Sequence, residues 1–175
     1  MRSTIVLLLL TIAGCGVLSV GPFPRTTIPV EIAVPQDQRL ELVLAATGAQ
    51  IYRCDPKSDA AGRFEWTPQG PDARLRDVAD RYWGRLYAGP TWAADDGSKV
   101  VGTVQARVDA SIKSAIPWLR LGAKSAGAGL LTNVTTIQQV STAGGQAPAG
   151  GCTEPDHGRI LRVDYSADYY FYVPR

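Results

Sequence analysis

The chain has 175 residues, 45% hydrophobic and 19% charged, which is enough for one globular domain with a sizeable core. Eighteen basic and sixteen acidic residues leave a net charge of +2, and the absence of a polybasic or polyacidic tract excludes the electrostatic footprint of a nucleic-acid binder. One histidine excludes any site that needs two, while 18 Gly and 12 Pro scattered between short apolar runs favour turns and strands over long helices.

The N-terminus comes first. Arg2 is the only charge before Arg25, and Ile5 to Ile12 is apolar apart from Thr11. A short basic start, an apolar stretch of this length and then small residues form the layout of an export signal. Ile12-Ala13-Gly14-Cys15 resembles the lipobox of bacterial lipoproteins, in which an apolar residue and two small ones precede an obligatory cysteine. The resemblance implies a signal peptide over residues 1–14, with Cys15 taking a diacylglycerol and becoming the first residue of the mature protein. Gly16, rather than Asp, at the next position implies sorting to the outer membrane, facing the periplasm or the surface. Two other readings stay open: ordinary cleavage that discards Cys15, and an uncleaved anchor. The apolar run Ile5 to Val20 is 16 residues, short of the roughly 20 that a spanning helix needs.

Residues 15–35 read as a tether, because Pro22, Pro24, Pro29 and Pro35 prevent regular structure. Residues 36–175 read as a single all-β domain, an antiparallel β-sandwich or barrel with short connecting loops and one disulfide. Leu40, Leu42 and Leu44 alternate with Glu41 and Val43 as a strand with one buried face. Gly48-Ala49 is then read as a turn into a strand Gln50 to Cys54, followed by a polar loop Asp55 to Gly62 and a short strand at Phe64 and Trp66.

Leu75, Val78, Ala79, Tyr82 and Leu86 stand at helical spacing, with Asp72 as a possible N-cap. Tyr87 to Ala93 and Lys99 to Val108 flank Asp96-Gly97, a strong hairpin signal, with Val100, Gly102, Val104, Ala106 and Val108 on one face. Gln105 to Ile116 is ambiguous between strand and helix. Trp118 to Leu121, Thr135 to Val140 and Ile160 to Val173 are further strands, and Gly144 to Gly151 is a loop.

Once Cys15 is set aside, Cys54 and Cys152 remain. In an oxidising compartment an even pair defaults to a disulfide, here closing a loop of nearly one hundred residues. No third cysteine or histidine has ligand spacing with either, so no metal is implied. No cofactor is implied either, since Gly127-Ala128-Gly129 continues to Thr132 and not to a third glycine. Ala94 to Ser98 lacks the alternating oxygens of a calcium loop. His157, between Asp156 and Gly158, reads as an exposed turn, and no serine sits in a nucleophile elbow, so no catalytic residue is assigned. A hydrolase built on His157 remains the lesser enzymatic reading.

The aromatic residues carry the binding expectation. Tyr87 and Trp92 lie before the hairpin, and in Tyr169-Tyr170-Phe171-Tyr172 both faces of a strand carry rings. One face fills a core. The other is either covered or a platform for a sugar or an aromatic ligand, which makes Tyr87, Trp92, Tyr170 and Tyr172 the candidate ligand residues.

Six ordered motifs then resemble one family: Gly48 to Cys54, Tyr87 to Trp92, Asp96 to Gly102, Ile116 to Leu119, Gly144 to Pro148 with Cys152, and Tyr165 to Tyr172. Together they resemble the exported bacterial and fungal domains of unknown function catalogued as DUF3455. The resemblance implies export and the two matching cysteines, and it implies no activity. Its usual pattern has a histidine where this chain has Leu86, and it reads Asp72 to Leu86 as strand, turn, strand, against the helical spacing.

The reading that results is an exported, lipid-anchored, non-enzymatic domain that binds a small molecule, a glycan or an envelope protein. Its membrane partner is engaged through the lipid on Cys15. The runner-up is an inhibitor of an envelope or cell-wall hydrolase, acting through the Asp55 to Gly62 or Gly144 to Gly151 loop.

Overall fold

The computed structural model describes residues 26–60 and 62–175. The signal peptide, Cys15 and the first part of the tether lie outside the described residues.

Eight antiparallel strands close into a barrel in chain order, each paired with its neighbours and β8 pairing back to β1. They are β1 (Gln38–Pro56), β2 (Phe64–Arg76), β3 (Tyr82–Tyr87), β4 (Thr91–Ala94), β5 (Lys99–Val108), β6 (Trp118–Ala126), β7 (Thr136–Gly144) and β8 (Ile160–Pro174). The chain is thus all-β, and of the two expected architectures it forms the barrel.

Alternation along each strand sends one set of side chains inward. Leu44, Ala46, Leu75, Leu86, Trp92, Val100, Leu121 and Ile137 meet Tyr165, Ala167, Tyr169 and Phe171 in one buried cluster. Bulk and its absence are matched across the lumen. Trp92 packs edge-on against Tyr169 and Phe171, with ring centroids 5.3 and 6.1 Å apart. It fits because Gly102 faces it: a Cβ on Gly102 would stand 2.8 Å from the indole. An eight-stranded barrel is just wide enough to be filled by side chains or to hold one small ligand.

Several sequence expectations are corrected. Gly48-Ala49 is not a turn, and β1 runs unbroken through it. The glycine answers a different demand: a Cβ at Gly48 would collide with the carbonyl oxygen of Asp72 and the Cα of Ala73 on β2, so the two strands pass there at close range. Tyr87 to Ala93 is not one strand, because Gly89, at φ 86°, turns the chain between β3 and β4. Asp72 to Leu86 forms a hairpin, as the family resemblance implied and the helical spacing did not. Leu75 and Leu86 are both buried, as inward positions of two adjacent strands. Val78 and Ala79 fall in the turn between them, and Val78 and Tyr82 are exposed, so the helical spacing marks no buried face. The inward face of β5 does not extend as a strict alternation to Val108, because the register shifts between Val104 and Ala106.

The described part of the tether also departs from expectation. Val30–Ile32 forms a 3₁₀ turn and Ile32 is wholly buried. Gln138 Nε2 donates to Ile32 O at 2.7 Å, and Arg120 Nη1 donates to Ala33 O at 2.6 Å. The prolines block helix and strand without preventing the chain from docking on the outer wall of β6 and β7, where backbone carbonyls meet side-chain donors.

One end of the barrel is plugged. Leu131 and Val134, from the β6–β7 connection, fold into the core cluster. Asp96 fixes them: its carboxylate accepts from Ser98 N (2.9 Å), Ser98 Oγ (2.6 Å) and Leu130 N (2.7 Å). Ser98 Oγ in turn accepts from Leu131 N at 3.2 Å.

Candidate functional site

The opposite end carries the long loops. Cys54 on β1 is disulfide-bonded to Cys152 in the β7–β8 connection, as the cysteine pairing predicted. The same connection is held by Trp66 Nε1 donating to Gly151 O (2.9 Å), Tyr52 OH donating to Gly145 O (2.6 Å) and Gln146 Nε2 donating to Ala115 O (3.0 Å). Thr142 Oγ1 and Gln139 Nε2 hold the β5–β6 loop by donating to Ile116 O (2.6 Å) and Pro117 O (2.7 Å). The rims of the mouth are therefore fixed from β1, β2 and β7.

Between these rims an open pocket of about 340 Å³ lies over the packed lumen. Its deep wall is Leu86, Trp92, Leu121 and Tyr169, and Val104, Pro117 and Leu119 lead up to the opening. Pockets of this order, mostly apolar and with a few convergent polar groups, are the usual form of a small-molecule site, and barrel mouths are a common place for them.

The lining carries no ionisable side chain except the phenol of Tyr169. Burial raises that phenol well above its ordinary value, with the neighbouring Tyr165 phenol adding to the shift, so it stays neutral. Tyr165 is likewise pushed up to about 12, chiefly by burial. Gln139 is engaged at both ends, since its Nε2 donates to Pro117 O and its Oε1 accepts from Tyr169 OH at 2.7 Å. Trp92 is 1% exposed and its Nε1 has no hydrogen-bond partner. A buried donor left unpaired is costly, about 1–3 kcal/mol.

The four candidate ligand residues are not brought together. Trp92 lines the cavity. Tyr87 stands exposed at the end of β3. Tyr170 and Tyr172 point to the outer face of β8, each half-buried, and Tyr172 OH donates to Gln138 Oε1 at 2.6 Å. Rings on both faces of a strand reveal alternation but not which face carries a ligand. Leu86, Leu121 and Tyr169, which form the cavity with Trp92, carry no sequence signal that separates them from ordinary core residues. Leu86, at the position where the family pattern has a histidine, is wholly buried in the cavity wall.

His157 is exposed, 5.6 Å from the ring of Phe64, and does not line the cavity. Its neighbour Asp156 is engaged by Thr153 Oγ1 (2.8 Å) and Arg159 Nη1 (3.0 Å). These bonds hold the carboxyl below its usual range, the Thr153 hydroxyl foremost. Among the described residues, no three His, Cys, Asp or Glu side chains converge as a metal site would require.

The family model described as a protein of unknown function, DUF3455, matches residues 35–173. The chain belongs to the DUF3455 family. No curated protein and no solved structure matches it. The matched span runs from just before β1 to the end of β8, so in this DUF3455 chain the family domain and the barrel coincide.

Proposed function

We propose that this DUF3455 protein is an exported, lipid-anchored envelope protein whose barrel mouth binds a small apolar molecule. The observation that carries the reading is the mouth cavity itself, apolar and without a charged side chain. The polar groups on it are two amides, one indole and one phenol held neutral, a set suited to holding a ligand and lacking the nucleophile and base of a hydrolase.

The N-terminal lipobox pattern supports the address. The outer wall is charged where it would have to meet lipid if the barrel itself were inserted. Asp72, Arg74, Arg85 and Arg162 cluster on the outside of β2, β3 and β8, with Asp72 accepting from Arg85 (2.9 Å) and Arg162 (3.0 Å). Charges of this kind would be expensive against hydrocarbon.

Isothermal titration with naphthalene, an apolar probe of suitable size, tests the binding half. One saturable site per chain is expected in the wild type. Its loss is expected in Val104→Trp, where a rim residue 53% exposed is replaced by a ring that fills the opening. Absence of saturation in the wild type, or equal binding by the variant, would overturn the reading.

A further inference from the structure

We infer that the gap in the barrel wall between β2 and β5 takes an extended segment of another protein, which pairs by its backbone with the free edge of β5 at Val104 and turns an apolar side chain toward the mouth pocket. The inference goes beyond the reading of that pocket as a small-molecule site and does not rest on it, since it concerns the backbone edge beside the pocket.

The gap follows from strand lengths. β2 pairs with β3 only from Ala73 to Arg76, and β4 pairs with β5 only from Lys99 to Val101. The β3–β4 hairpin turns back at Gly89, while β2 and β5 both continue toward the mouth. At the hairpin, two strands separate β2 from β5, three interstrand spacings or about 14 Å. Pro68 and Pro71 of β2 line the pocket from one side of the gap, and Val104 of β5 lines it from the other. Val104 is 53% exposed at an inward position because no strand stands beside it.

The two edges of the gap differ. On β2, Pro68 and Pro71 have no N–H to offer, Gln69 Nε2 donates to Thr67 O at 3.2 Å, and Phe64 bridges to Cys152. Proline and covering contacts are how sheets blunt an edge. On β5, Gly102 N donates to Pro90 O at 3.0 Å, and the ladder ends there because proline has no N–H to return. Val104, two residues on, turns its own N–H and C=O to the same side by strand alternation. Among the described residues no strand pairs with Thr103 to Val108 on that side. A register shift against β6 between Val104 and Ala106 bends the strand beyond this point, so the straight part of the edge centres on Val104.

The width of the gap selects the occupant. It admits one or two strands. A second copy of this chain does not fit, because its β5 continues into a closed barrel. A residue paired with Val104 shares its face and looks over the pocket, whose lining holds no Asp, Glu, Lys, Arg or His. That residue is therefore apolar, since a charge there would lose hydration without gaining a counter-ion. In this mode of recognition main-chain bonds give affinity, and a pocket for alternate side chains gives specificity.

The probe is the capped peptide acetyl-Ser-Thr-Val-Thr-Ser-amide, titrated into the full mature chain and followed by amide NMR. It should shift the Val104 amide saturably and slow its hydrogen exchange at least about tenfold. Before peptide is added, that amide should exchange faster than the amide of Val100, which β4 pairs. The peptide N-methylated at its valine should bind at least about fivefold more weakly, through loss of one neutral hydrogen bond. The peptide with aspartate in place of valine should bind at least about tenfold more weakly. Val104→Pro should weaken binding at least about fivefold, and it should fold, because the N–H it deletes takes no bond within the barrel.

The absence of a saturable shift at Val104, equal binding by the N-methylated peptide, or a Val104 amide as protected as Val100 in the free protein would each overturn the inference. Should Val104→Pro fail to fold, the N-methylated peptide and the exchange comparison decide the same point. Equal binding by the aspartate peptide would overturn the apolar inward position. Naphthalene titration reads the pocket alone. Naphthalene binding without peptide binding would overturn this inference and leave the pocket reading standing, and peptide binding without naphthalene binding would do the reverse.

Discussion

Gln138 joins Tyr172 to the segment that precedes the barrel: its Oε1 accepts from Tyr172 OH at 2.6 Å, and its Nε2 donates to Ile32 O at 2.7 Å. Gln138 is 1% exposed and points outward from β7, so a polar side chain is buried on the outside of a barrel. It is buried because residues 30–33 lie over it, and they stay there partly because it binds them. Gln138→Ala should cost about 2–3 kcal/mol, from two lost hydrogen bonds and the void left behind. Urea unfolding measures this, and limited proteolysis should show faster cleavage near Val30 in the variant. An unchanged midpoint with unchanged cleavage would mean that the segment docks without Gln138.

At Gly48, β1 and β2 pass at close range. Gly48→Ala places a Cβ against the Asp72 carbonyl and the Ala73 backbone, atoms that cannot swing aside as a side-chain tip can. Overpacking of this kind should cost about 3 kcal/mol. Gly150→Ala is the matched control, because a Cβ there meets nothing within 4 Å. Thermal unfolding should separate the two substitutions clearly, and equal melting temperatures would refute the close-approach account.

Gly48 also shows what was and was not legible. The residues reported strand alternation, the hairpin at Asp96-Gly97, the cysteine pair and the all-β class, since each rests on local chemistry: period two, φ > 0 at a turn, and an even thiol count. They misreported Gly48, because a glycine that opens a turn and a glycine that admits a neighbouring strand are the same letter. The tether was misread for a related reason. Proline forbids regular hydrogen bonding, but the donors of Gln138 and Arg120 that capture Ile32 O and Ala33 O lie about ninety residues or more further along. The cavity was the least legible part. Trp92 could be singled out as an aromatic, while Leu86 and Leu121 look the same whether they line a space or fill one.

The Asp96 latch makes a prediction about acid. Its carboxyl is held below the ordinary range, first by the Ser98 hydroxyl and then by the backbone N–H groups of Leu130 and Ser98. A depressed folded-state pKa contributes stability that is present above the ordinary carboxylate pKa and lost as the pH falls through the folded value. Asp96→Asn cannot titrate there. Between about pH 5 and pH 2 the wild type should therefore lose more stability than the variant. Asp72, Asp77 and Asp156 are also depressed and are common to both proteins, so the difference between the two curves isolates Asp96. Parallel curves would show that the latch holds the β6–β7 connection without its charge.

The remaining prediction concerns Cys15. In the proposed reading its thiol carries a diacylglycerol, and burial of each CH₂ contributes about 0.8 kcal/mol, so two acyl chains hold the domain on a bilayer stably. Cys15→Ser should block processing and abolish lipid labelling. The barrel should still fold, because its disulfide joins Cys54 to Cys152 and makes no use of Cys15. Intact-mass analysis of the mature protein reads all of this at once. A lipidated Cys15 at the N-terminus is the expected result. A free N-terminus downstream of Cys15 would mean plain secretion, and a mass that includes Met1 would mean an uncleaved anchor; either outcome ends the lipid-anchor proposal. The same spectrum should be two mass units below the reduced form, since the Cys54–Cys152 bond removes two hydrogens.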